Sequence, residues 1–70
     1  MRFTIETEFE VETGRWIAEV MEVGALQYGI SRDDAVQKAL SLALRVLADR
    51  IDHGEASAAD LALVTEAVAA

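Results

Sequence analysis

The sequence predicts an α+β fold, a small antiparallel sheet packed on one long helix. Two observations carry this. Residues 2–11 alternate, with Phe3, Ile5, Thr7, Phe9 and Val11 on one side and Thr4, Glu6, Glu8 and Glu10 on the other, the period of a half-buried strand. Residues 31–52, SRDDAVQKALSLALRVLADRID, repeat apolar residues at helical spacing with no glycine or proline inside. Between them stand two further apolar stretches, each set off by a glycine, which complete a three-stranded sheet.

The first strand ends at Glu12-Thr13-Gly14, where glycine can take the positive φ of a tight turn. Arg15–Met21, RWIAEVM, is the second strand, and the pair reads as a β-hairpin. Trp16, Ala18 and Val20 share one face; Ile17, Glu19 and Met21 share the other. Both faces are mostly apolar, which places this strand inside the sheet and leaves open which face is buried. Glu22-Val23-Gly24 breaks the pattern, and Ala25–Ile30, ALQYGI, is the third strand, with Gly29 marking a bulge or the exit toward the helix.

The long helix has clear ends. Ser31 is placed to cap it, with Asp34 three residues on, and Asp33 and Asp34 put negative charge in the first turn. Gly54 suits a left-handed position just past the last turn. At about 1.5 Å per residue the helix is about 30 Å long. Val36, Leu40, Ala43, Leu44, Leu47 and Ile51 form its expected core stripe. Leu42 and Val46 fall outside the stripe and widen the apolar arc to about 200°. One small sheet covers about half of that, so a second apolar contact is expected, most simply a second copy of the chain in a homodimer or higher homo-oligomer. Leu42, Val46 and Arg50 are the expected interface residues. Arg50 lies within the apolar face, suited to an ion pair inside the chain or to a clamp across such an interface.

After a loop at residues 53–57, the tail from Ala58 allows two readings. Ser57 and Asp60 match a capping box and the alanines favour helix; LALVTEAV, with its valines and threonine, suits a short strand. Local propensity leans to helix.

Seventy residues make one domain, 1–70, with a thin stability margin. There is no cysteine, so no disulfide and no thiolate metal site. The first ten residues carry glutamates where a signal peptide would be apolar, and no run reaches membrane-spanning length; a cytoplasmic location is expected. Net charge is −7, from 13 acidic and 6 basic residues, which argues against binding a phosphate backbone and suits a basic partner or plain solubility.

Catalytic motifs are absent. His53, the one histidine, stands at the helix end, where it caps or is solvated; with Asp49, Asp52 and Glu55 it makes a poor metal set, and no cofactor is expected. Ser31 and Ser57 read as caps and Ser41 as a helix surface residue. Glu19 and Glu22 are the one carboxylate pair open to a nuclease reading. The row Glu6, Glu8, Glu10 is a solvated strand face or a docking face for a basic protein.

Three stretches carry a family resemblance. GRWIAEV at 14–20 is similar to the second strand of HicB-like antitoxin domains, and YGISRDDA at 28–35 resembles their lead-in to the helix. LALRVLADR at 42–50, followed by His53-Gly54-Glu55, is similar to the helix end of small HicB-like proteins. The likeness covers residues 1–56. The chain departs from the family in having Met21-Glu22-Val23-Gly24 where a Pro-x-Leu-Pro-Gly is usual, and in lacking room for the DNA-binding domain of full-length HicB proteins. The resemblance implies a β-β-β-α-β fold, a partial ribonuclease-H-like sheet of four strands with residues 61–68 as the fourth. It also implies a non-catalytic module that binds and blocks a basic HicA-type ribonuclease toxin, with Glu6, Glu8 and Glu10 as the toxin-facing residues and no direct nucleic-acid contact. The alternatives are an oligomeric structural module without a toxin and, further off, a small metal-dependent nuclease using Glu19 or Glu22.

Overall fold

The computed structural model describes residues 2–69, and of residues 66–69 the backbone only. It is α+β: strands β1 (Ile5–Glu10), β2 (Arg15–Val20) and β3 (Ala25–Gly29), then helices α1 (Arg32–Asp52) and α2 (Ala58–Ala69). The strands form one antiparallel meander in the order β1-β2-β3. Gly14 and Gly24 close the two turns with φ of 69° and 66°, values that cost glycine nothing.

The register settles which face of β2 is buried. Ile5 pairs with Val20, Thr7 with Ala18 and Phe9 with Trp16; Ala25, Gln27 and Gly29 continue those rows across β3. This face meets α1, and Ala18, Val20 and Ala25 on it are buried. Trp16 stacks edge-on against Phe9 at 5.5 Å between ring centroids.

α1 lies across this face, over β3 and β2 more than β1. The residues it buries are Ala35, Ala39, Ala43 and Leu47. Of the expected stripe, Ala43 and Leu47 are fully buried and Val36 and Leu40 pack at the margin, but Leu44 and Ile51 stay 45% and 41% exposed. The true stripe is rotated by about 70° from the one the large aliphatics suggest. The physical reason is closeness. A Cβ built on Gly29 would collide with the backbone nitrogen of Ala35, would lie 2.7 Å from its Cα and 2.8 Å from the Asp34 carboxylate. The helix rests almost on the strand backbone, where only alanine fits, and the larger side chains fill the flanks. Leu42, set outside the stripe by its spacing, is one of those flanking residues and packs against the core.

The helix caps follow from the sequence. Ser31 Oγ accepts the Asp34 amide at 3.1 Å, and the Asp34 carboxylate accepts the Ile30 amide at 3.0 Å. At the other end Gly54 takes φ 70°, its amide donates to Ile51 O at 3.1 Å, and Glu55 N–H donates to Arg50 O at 2.7 Å.

The tail corrects the expectation drawn from the resemblance. Residues 61–68 are not a fourth strand but part of α2, and the sheet has three strands. The capping box decides it: Asp60 N–H donates to Ser57 Oγ at 3.0 Å, and Ser57 N–H donates to Asp60 Oδ2 at 3.1 Å. Leu63 is buried, and the Arg50 guanidinium reaches Asp60 Oδ1 at 3.2 Å. Arg50 is thus partnered inside the chain, at the point where α1 runs beyond the sheet. Ser57→Ala should cost about 1 kcal/mol, read as an earlier thermal transition with reduced helical circular dichroism.

The Ser57 amide, with Arg50 beside it, holds the Asp60 carboxyl below its ordinary value of 3.8. A lowered folded-state pKa means stability that is complete above the ordinary value and lost as pH falls through the folded one. Thermal melts of the parent protein and of Asp60→Asn should therefore differ by a constant amount above about pH 5. The difference should shrink on acidification below the ordinary carboxylate range.

Candidate docking face

Among the described residues, no other element packs on the face of the sheet away from α1. The register lays three rows across it: Glu6, Glu19 and Leu26; Glu8, Ile17 and Tyr28; Glu10 and Arg15. Alternation along each strand puts these side chains together, because residues two apart share a face and paired residues share it across strands.

The glutamates of β1 divide into two kinds. Glu10 is committed within the hairpin: Thr13 Oγ1 donates to its Oε1, and Arg15 Nη2 lies 3.2 Å from the same oxygen. The Thr13 hydroxyl first, and Arg15 second, hold its carboxyl below the ordinary carboxylate range. Arg15 also donates to Thr13 at 3.3 Å and sits 3.9 Å from the centre of the Tyr28 ring. The guanidinium on this face is therefore spoken for. Glu6 and Glu8 are different. Among the described residues, no lysine, arginine or histidine pairs with either, nor with Glu19. Glu6 and Glu19 stand directly opposite each other, and like charges in that position repel.

These three carboxylates border a shallow hollow of about 340 Å³, with Thr7, Ile17 and Leu26 as the rest of its lining. Carboxylates beside aliphatic side chains are a chemistry that can accept a basic group. The aliphatic stem of a lysine or arginine can lie along Ile17 and Leu26 while its head takes the carboxylates. Of the residues expected to face a partner, the structure brings Glu6 and Glu8 to this hollow and keeps Glu10 at its end, tied to Arg15. Glu19 is the member that strand-by-strand reading missed; only the cross-strand register shows it beside Glu6.

The other candidates are used elsewhere. Glu22 lies in the β2–β3 turn, where its Oε1 accepts the Thr4 amide at 2.6 Å; the Thr4 side chain first, and that amide second, hold its carboxyl below the ordinary carboxylate range. It thus has a structural task apart from Glu19. His53 is the C-cap of α1, its Nδ1 2.8 Å from Asp49 O. Val46 is half-buried on α1. Among the described residues, no group of three or more His, Cys, Asp or Glu side chains is placed to hold a metal ion, and no helix is long and apolar enough to cross a membrane.

No protein-family model matches the chain, and no significant match was found among curated proteins or among solved structures.

Proposed function

We propose that this chain is a non-catalytic binding module that docks a basic protein on its open sheet face, in the manner of a HicB-like antitoxin masking a HicA-type ribonuclease toxin in the cytoplasm. The observation that carries the reading is the hollow: Glu6, Glu8 and Glu19 gathered over Ile17 and Leu26 without a cation of their own among the described residues. A surface built to attract phosphate is cationic, so a face of this sign steers and orients it. The resemblance of residues 14–20 and 28–35 to the antitoxin family supplies the class of partner.

The test is light scattering coupled to size-exclusion chromatography, on the protein alone and mixed with the product of the neighbouring gene. A stable mixed complex, dispersed by salt, supports the module as an inhibitor and leads to ribonuclease-inhibition assays. A discrete oligomer with no mixed species moves the reading to a structural module without a toxin.

A further inference from the structure

The two edges of the sheet are built differently. β1 carries Glu6, Glu8 and Glu10, and charge on an edge strand discourages pairing with another chain. β3, Ala-Leu-Gln-Tyr-Gly, carries no charge, and its Leu26 and Tyr28 are 42% and 40% exposed. We propose that the free edge of β3 is an interface between two copies of this chain, joining their sheets into one of six strands about a two-fold axis at Gln27. The pairing is made by the main chain of the edge, whatever the acidic face binds, although Leu26 also lines the hollow.

The hydrogen-bond pattern specifies the register. Met21 N–H donates to Thr4 O at 2.9 Å, so in the β1–β2 ladder that pair is a hydrogen-bonded one. Alternation then turns the peptide groups of Trp16, Ala18 and Val20 toward β3, where they meet Gly29, Gln27 and Ala25. The amides and carbonyls of Leu26 and Tyr28 are left pointing outward. They lie symmetrically about Gln27, so a two-fold axis there pairs Leu26 of each copy with Tyr28 of the other and satisfies all four groups. The edge is complementary to itself.

Two further observations favour a second copy as occupant. Among the described residues the core is slight, with Leu47 and Val20 as the largest fully buried side chains, and pairing is the ordinary remedy for a domain this small. Charge also permits it. Joined at β3, the two β1 strands stand five strand spacings apart, about 24 Å, beyond the screening length of about 8 Å at physiological salt. Because α1 lies chiefly over β3 and β2, the same axis sets the two long helices side by side.

A cysteine placed at Gln27 tests this directly in a chain that has no other. Gln27 would oppose its own copy as a non-hydrogen-bonded pair, with Cα atoms about 4.5 Å apart, within disulfide range. Gln27→Cys should form a covalent dimer under mild oxidation, and Glu8→Cys on the other edge should not. Light scattering should give a dimer for the parent protein. Leu26→Lys with Tyr28→Lys sets two like-charge pairs opposite each other across the axis, while within the chain the lysine introduced by Leu26→Lys faces Glu19. The double variant should weaken association at least tenfold with circular dichroism unchanged. A parent protein that is monomeric at about 100 µM overturns the proposal, as does a folded double variant that remains a dimer. If the double variant fails to fold, the cross-link decides. A parent dimer without a Gln27→Cys disulfide also overturns it and moves the interface to α1, at Leu42 and Val46.

Discussion

Gly29→Ala should come close to unfolding this domain. The added Cβ meets the backbone of Ala35, not a side chain that can swing aside. Relief requires α1 to lift off the strand, which opens the seam formed by Ala18, Ala25, Ala35 and Ala39. Overpacking a core costs about 1–3 kcal/mol, and a rigid backbone collision belongs at the top of that range. A domain of this length has total stability of about 3–10 kcal/mol. Urea denaturation followed by circular dichroism should show a large fall in midpoint with the slope retained. Truncating Ala35 to glycine should not rescue the variant, because the contact is with main-chain atoms. A midpoint within experimental error of the parent would show that the helix can move without loss.

Reversing Glu6 and Glu8 to lysine should abolish capture of a basic partner. The change replaces attraction with like-charge contact, which costs several kcal/mol across an interface, and each 1.4 kcal/mol is about tenfold in affinity. A weakening of about a hundredfold or more is expected in a titration by calorimetry. Glu6→Gln gives the finer test, since it removes the repulsion with Glu19. The free protein should gain a few tenths of a kcal/mol while partner affinity falls. Opposite signs for stability and binding in one variant mark a face kept for recognition. If the Glu6 and Glu8 reversals leave affinity unchanged, the docking face lies elsewhere. Glu10 should behave unlike its neighbours, because its bonds to Thr13 and Arg15 make it part of the hairpin.

Much of the fold is legible in the residues because local rules do not compete there. The alternation of 2–11, the glycines at 14 and 54, and the cap at Ser31 each specify one outcome, and the first strand, its turn and the long helix form where they place them. The face of α1 is a different matter. Hydrophobic size points to Leu44 and Ile51, yet distance decides, and distance depends on Gly29 lying beneath Ala35. No periodicity along the helix contains that contact. Likewise the acidic row is visible along β1, but the meeting of Glu6 with Glu19 exists only once β2 has paired with β1. For the tail, the local capping signal of Ser57 and Asp60 outweighed the fold implied by family likeness.

The meander has a kinetic consequence. β1 pairs with β2, β2 with β3, and α1 then closes over the two strands that precede it, so no element waits on a distant partner before it can form. Loop closure is correspondingly cheap in entropy, and chains with such local connectivity refold within milliseconds. The sequence contains no proline, so prolyl isomerisation, which delays many refolding reactions by tens of seconds, has no bond on which to act. At concentrations too low for association, refolding from urea in a stopped-flow instrument should be a single fast exponential with no slow tail.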